Sequence, residues 1–244
     1  MIQSRCGLCC DACAYREPNR CPGCTRQPRP FWGDCPLKTC AERRGLAHCG
    51  LCPDFPCRTL SRFAYDTEHG EGDGSRLERC RRWVGTTPRL RACLLVVEDL
   101  DRAAAFYGEL LGLPVVEDAG GNLTLAGGIA LQQRRAWQSL LGGAESRFGH
   151  NAGELYFEVE DLDGFAAAAA AYGARVFQPV HAFPWGQRGL RLRDPDDHLV
   201  EVAESMGTVV RRHREAGLTL AEIARRMGVA PDYVARYLPG EEEA

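Results

Sequence analysis

Apolar residues along this chain follow two kinds of spacing. Up to about residue 60 they are scattered among Cys, Pro and Arg with no regular period. From Leu90 onward, runs alternating with period two are separated by runs of helical period. The pattern predicts strands over 92–98, 113–117, 121–125, 128–133, 154–160, 174–178, 187–193 and 198–203. Helices are predicted over Arg102–Leu111, Arg134–Leu141 and Gly164–Tyr172, with a helical tail over 205–238. A short repeat orders these elements. Val97-Glu98-Asp99-Leu100-Asp101 recurs as Val159-Glu160-Asp161-Leu162-Asp163. Each copy follows a strand and opens a helix, with Asp99 or Asp161 placed to cap it. Three strands then follow each helix.

The expected fold is α+β: paired βαβββ units forming an open barrel or cup, after a small Cys-rich metal-stapled module and before a helical tail. The boundaries are 1–62 for the module, 63–88 for a linker, 89–204 for the paired domain and 205–244 for the tail. Asp66–Arg76 reads as an exposed loop, with a short helix over Leu77–Val84.

Strand alternation also sorts the side chains by face. Leu155, Phe157 and Val159 form the face that packs on a helix, so Glu154, Tyr156 and Glu158 face away from it. In the last strand, Leu199, Glu201 and Ala203 share one face. If the strands curl, Glu154 and Glu201 both point inside. Two buried carboxylates need a cation or hydrogen-bond donors. The alternatives are a divalent ion and a metal-free pocket, where the carboxylates meet a polar ligand, Arg188 or Arg191. Tyr156, His181, Trp185 and Arg188 are candidate substrate contacts. Trp185 reads equally as a lid packed on the rim.

Composition changes the picture in one respect. Of thirteen cysteines, all but Cys80 and Cys93 lie between Cys6 and Cys57. The N-terminal residues lack the apolar run of a signal peptide, and no stretch reaches membrane-spanning length, so a cytoplasmic protein is expected. There, dense thiols point to metal rather than disulfides. Cys6, Cys9, Cys10 and Cys13; Cys21 and Cys24; Cys35 and Cys40; and Cys49, Cys52 and Cys57 form short-spaced sets. With His48 nearby, they offer two four-ligand sites and leave spares. Zinc is the expected metal; an iron–sulfur cluster is the weaker reading, since the gaps do not match the ferredoxin run. A net charge of -3 gives no general pull toward nucleic acid or membrane.

Two resemblances add to this. Cys6-Gly7-Leu8-Cys9-Cys10-Asp11-Ala12-Cys13, Cys21-Pro22-Gly23-Cys24 and Cys49-Gly50-Leu51-Cys52-Pro53-Asp54-Phe55-Pro56-Cys57 resemble a bacterial cysteine-rich domain of unknown function, number 3795 in its naming series. That resemblance implies metal binding and no established activity. Residues 89–204 resemble the vicinal oxygen chelate superfamily of glyoxalases, bleomycin-resistance proteins and dioxygenases. The resemblance rests on Val97-Glu98-Asp99-Leu100, Phe106-Tyr107, Leu111-Gly112-Leu113, Pro184-Trp185-Gly186-Gln187-Arg188, Asp194-Pro195-Asp196 and Leu199-Val200-Glu201. It implies a metal-centred cup with ligands from the first and last strand of each unit. Glu201 matches the last-strand ligand of the second unit, and Glu154 stands where His is common. Their counterparts in the first unit are Gln132 and Ala92, and Ala92 cannot bind metal. Gln132, Glu154 and Glu201 would favour Mn, Fe or Mg over zinc, and His181 could add a nitrogen.

The function this implies is small-molecule binding or metal-assisted conversion in the cup. As an enzyme it would be a lyase, isomerase or dioxygenase, with Glu154 and Glu201 as the catalytic carboxylates. One alternative is a non-catalytic protein that sequesters a drug or metabolite; another is a metal- or redox-responsive regulator. The expected partner is a small molecule, with a homodimer left open. Residues 218–238 have helix-turn-helix texture, but Glu222 and Glu241-Glu242-Glu243 weaken any basic face. Nucleic acid is therefore not the expected partner.

Overall fold

A computed structural model describes residues 4–13, 15–68 and 71–238. The chain divides into two units, Met1–Arg89 and Leu90–Ala244.

The first unit contains helices α1 (Pro36–Arg43), α2 (Arg58–Ala64) and α3 (Ser75–Thr86). Tight single turns lie at Cys10–Ala12, Cys24–Arg26 and Cys49–Leu51. Its core is small: Leu37, Leu60, Ala64 and Leu77, with Cys6, Cys35, Cys49 and Cys80. The stretch expected as a linker contains the short helix expected over Leu77–Val84, as α3. Leu77 and Cys80 of α3 are buried in this core, and Trp83 packs against it. The three residues recur at helical spacing, and the module has too few other apolar side chains to do without them. His69 and Gly70 of the expected loop lie outside the described residues.

The second unit holds two four-stranded sheets. Strands β1 (Cys93–Val97), β2 (Val115–Asp118), β3 (Asn122–Leu125) and β4 (Ile129–Gln133) form the first, in the order β1-β4-β3-β2. Strands β5 (Glu154–Val159), β6 (Arg175–Ala182), β7 (Arg188–Arg193) and β8 (Leu199–Glu204) form the second, in the order β5-β8-β7-β6. In each, the first strand pairs parallel with the last and the other pairs are antiparallel. This is the expected pair of βαβββ units; neither sheet closes into a barrel. Strand β6 runs four residues past its expected end, with two register shifts that let it bend.

Helices α4 (Leu100–Ala105, continued by one wide turn over Phe106–Leu110) and α6 (Leu162–Tyr172) are capped as expected. Asp99 accepts from Arg102 N and Asp161 from Gly164 N, each at 2.9 Å. Helix α5 (Arg134–Leu140) leads out of β4. The helix-facing halves of both sheets share one core, from Val97, Phe106, Leu125 and Leu131 to Leu162, Leu190, Leu192, Val200 and Val202. Tyr107 adds a polar tie by donating to the buried Asp194 at 2.8 Å. The tail folds as α7 (Met206–Glu215), α8 (Leu220–Met227) and α9 (Pro231–Ala235) around Val209, Val210, Ile223 and Val234. Glu241–Glu243 lie outside the described residues. Among the described residues, no helix is long and apolar enough to cross a membrane.

Candidate functional site

Register decides which side chains share the face of the second sheet turned away from α6. Tyr156 and Arg191 both pair with Glu201, Gln178 pairs with Arg191, and His181 pairs with Gly189. Paired residues project to the same side of a sheet. Glu154, Tyr156, Glu158, Gln178, His181, Arg191, Arg193 and Glu201 therefore occupy one face.

Arg191 organises it. Its Nε donates to Glu154 Oε2 at 2.9 Å, and one terminal nitrogen donates to Gln178 Oε1 at 2.7 Å. The other terminal nitrogen is ion-paired with Glu201. One planar guanidinium thus holds two carboxylates that would otherwise repel. Glu201 is 4% exposed. Burial pushes its carboxyl above the usual carboxylate range, and the Glu154 charge adds to this while Arg191 opposes it.

An aromatic stack lies beside the guanidinium. Phe183 and Trp185 stack parallel at 4.7 Å, and the Phe183 ring centre is 5.5 Å from Arg191 Cζ. His181 meets Phe183 edge-on at 4.6 Å. Trp185 Nε1 donates to Gln187 Oε1 at 2.8 Å. Gln187 Nε2 donates to Tyr156 Oη at 2.8 Å and to Glu204 O at 2.7 Å. Tyr156 Oη donates to Glu158 Oε1 at 3.0 Å. Burial pushes the Tyr156 hydroxyl up to about 12, so it stays a donor at neutral pH. The loop carrying the stack is pinned from α7. Arg212 donates to Gly186 O at 2.6 Å and to Glu204 Oε1 at 2.7 Å. Gly186 has φ +88, and a Cβ there would lie 2.8 Å from His213 Nε2.

In the first unit no disulfide joins the described cysteines. Burial, reinforced by Cys6, Cys80, Cys57 and Cys40, pushes the Cys49 thiol up to about 12. Burial takes Cys80 up to about 11. His48 is fully buried, and both ring nitrogens are engaged: Nδ1 accepts from Gly50 N and Nε2 meets Thr87 Oγ1, each at 3.1 Å. It caps the Cys49–Leu51 turn and is not free to ligate. Among the described residues, no three His, Cys, Asp or Glu side chains lie close enough to share an ion as they stand.

Residues 90–207 match the family model described as a glyoxalase-like domain, and residues 2–62 match that of a protein of unknown function, DUF3795. The chain joins a DUF3795 module to a glyoxalase-like domain. No curated protein matches it. Similar solved structures include a protein of unknown function from Agrobacterium tumefaciens, with 31% identity over 49% of this chain and 95% of that one (TM-score 0.45). Another is a glyoxalase-related enzyme from Fulvimarina pelagi, with 24% identity over 48% and 88% (TM-score 0.44). A third is a lactoylglutathione lyase from Agrobacterium tumefaciens, with 26% identity over 48% and 93% (TM-score 0.39).

Within the glyoxalase-like domain the expected residues sort unevenly. Glu154, Tyr156, Glu201 and His181 share the inner face, and Trp185 stands at its edge. Arg188 does not. It lies three residues from Arg191 on the same strand, and with period two it points to the helix side. There its Nε donates to Glu204 Oε1 at 2.8 Å, and its terminal nitrogens reach Asp163 at the start of α6. Gln132 does not join the carboxylates either. It accepts from Asn122 at 3.1 Å and donates to Gly121 O at 2.7 Å within the first sheet. Among the described residues, no hydrogen bond links it to Glu154 or Glu201. The donor set therefore does not fit the divalent ion of the family: a guanidinium already sits between the two carboxylates, and Ala92 supplies nothing. Sequence reasoning weighed Arg191 as a partner but left it out of the site, and it missed Phe183 and Gln187. The alternation Gly189, Arg191, Arg193 places Arg191 opposite Glu201 once the β7–β8 register is known; nothing local reveals that register.

Proposed function

We propose that the inner face of the second sheet binds a flat small molecule carrying a positive charge, without a metal ion. The observation that supports this is the Arg191 clamp. Arg191 pairs with Glu154 and Glu201, and Arg193 shares the face. Among the described residues no arginine pairs with Glu158, which leaves one carboxylate open to a cation and linked through Tyr156 and Gln187 to the stacked Phe183–Trp185 pair. A planar cation would gain both stacking and ion pairing there. If the bound molecule is also turned over, Glu201 is the group placed to move a proton, because its raised pKa brings it nearer to neutral pH. Tyr156 would donate a hydrogen bond.

Benzamidinium is a suitable probe, with benzoate as its anionic counterpart. Titration of the full chain, followed by the NMR signals of the Trp185 indole and the Tyr156 ring, should show saturable shifts with benzamidinium alone. Glu201→Gln and Glu154→Gln should weaken binding about tenfold each while keeping the fold, as expected for loss of a charged contact. Equal binding of both probes would overturn the acidic-site reading. Unchanged binding in both variants would show that the face is not the site.

The DUF3795 module is proposed to be a structural zinc module in a cytoplasmic protein. Its apolar core is too small to fold a chain of this length unaided, and its thiols are the donors zinc prefers.

A further inference from the structure

Eight thiols of the first unit line two separate pockets. Cys40, Cys49, Cys52 and Cys57 line one pocket, with Arg44 at its wall. Cys10, Cys13, Cys21 and Cys24 line another, with Arg16 at its wall. The geometry points to two separate zinc sites with these two four-cysteine sets as ligands. This deepens the zinc reading proposed above and rests on it.

Three observations carry the partition. Backbone turns shape the closely spaced pairs. Cys13 N donates to Cys10 O at 3.3 Å, and Cys52 N donates to Cys49 O at 3.0 Å. Each of these two Cys-x-x-Cys segments is thus closed by a backbone turn that keeps its cysteines near each other. Cys24 opens a third turn after Gly23, whose φ of 102 lets the chain reverse between Cys21 and Cys24.

Next, N–H donors from outside the sets are aimed at sulfur. Arg44 donates to Cys52 Sγ at 3.2 Å, Gln27 to Cys21 Sγ at 3.3 Å and Leu60 N to Cys57 Sγ at 3.5 Å. Donors of this kind hold a metal-bound thiolate in place, as outer-shell partners do around other metal ligands.

Charge gives the third. A zinc ion with four thiolates carries two negative charges, and each pocket has one arginine in its wall. Loading releases four protons per site to solvent and draws each set inward onto its ion. Cys6, Cys35 and Cys80 pack in the apolar core with Leu37, Leu60 and Leu77, and serve there as small hydrophobic residues. Cys9 lines neither pocket.

The test uses the full chain, expressed with zinc and purified without oxygen. Elemental analysis should find two zinc ions per chain. Cys21→Ser and Cys52→Ser should each lower this to one, and the two together to none. Cys13→Ser with Cys21→Ser, both in one set, should keep one, and Cys93→Ser should keep two. To cover variants that fail to fold, wild-type protein is alkylated with iodoacetamide before and after EDTA. The eight named cysteines should be protected until the chelator is added, while Cys9 and Cys93 react at once. One ion per chain, losses that cut across the two sets, or iron with acid-labile sulfide would overturn the partition. A chain that carries no metal and takes up none would overturn the zinc reading as well.

Discussion

The two sheets of the glyoxalase-like domain share strand order, pairing and a capped helix, yet their inner faces differ in kind. Over β1 and β4 the first sheet presents Leu94, Val96, Ala130 and Gln132, none of them charged. Over β5 and β8 the second presents Glu154, Tyr156, Glu158 and Glu201, with Arg191 beside them. The helix-facing halves are alike in chemistry and merge into one core. Alternation along a strand lets these halves change independently. One half must stay apolar for the fold to exist, and the other can acquire a site. A repeat of topology is therefore not a repeat of chemistry.

The largest expected effect tests the shared half. Leu131 in the first sheet and Leu192 in the second are both fully buried. Leu131→Ala and Leu192→Ala should each cost about 2–5 kcal/mol in urea unfolding, because each removes core methylenes and leaves a cavity. A cost near zero in one sheet alone would break the equivalence of the two halves.

The next tests the half that differs. Arg191→Met should cost about 3 kcal/mol, since it strands the buried Glu201 carboxylate beside Glu154. A polar residue on the same face of the first sheet behaves differently: Gln132→Leu should cost only about 1 kcal/mol, for lost hydrogen bonds. Arg191→Met should also raise the Glu201 carboxyl further, which an NMR titration of that side chain reads directly.

A pH series sharpens the contrast. Glu201 titrates above the ordinary carboxylate range, so the native state holds its proton more tightly than the unfolded chain does. As pH falls through that value, Glu201 is neutralised and its pair with Arg191 is lost. Benzamidinium binding should weaken over this range. Stability should gain from Glu201 as pH falls, because its buried charge is removed. Glu204 has the opposite sign. Burial raises its carboxyl, but Arg212 and Arg188 outweigh this and leave it below the usual value. Its contribution is present above the unfolded carboxylate value and is lost as pH falls through the folded one. A benzamidinium affinity flat from neutral to acid pH would remove Glu201 from the site.

The smallest effect concerns Arg188. Arg188→Ala should cost about 1 kcal/mol, since its ion pairs are partly exposed and Glu204 keeps Arg212. Benzamidinium affinity should stay within about twofold of wild type, on a scale where tenfold is about 1.4 kcal/mol. A tenfold loss would return Arg188 to the site.

Much of the architecture could be read from local pattern. The Val-Glu-Asp-Leu-Asp repeat placed both helix caps, and alternation put Glu154 and Glu201 on a common face. Those features depend on residues close in sequence, where period and capping chemistry act directly. The misplacements all involve partners far apart along the chain. Arg188 is expected among the substrate contacts, but strand parity turns it toward Asp163. A short helix is expected over Leu77–Val84 inside a linker, and α3 forms there over Ser75–Thr86. Its three apolar positions count only against a module that lacks a core of its own.

By itself the sequence determined the two βαβββ units, their caps and a Cys-rich segment with spacings suited to metal. It also determined that the second unit carries acidic residues where the first carries neutral ones. Only the tertiary structure decided that Arg191 holds Glu154 and Glu201 together, that Gln132 stays in its own sheet, and that eight thiols line two pockets. The physical reason is the same in each case. Secondary structure follows from periods and caps within a few residues, whereas an ion pair across strands depends on register. Register is set by the packing of the whole core, and no local segment contains it.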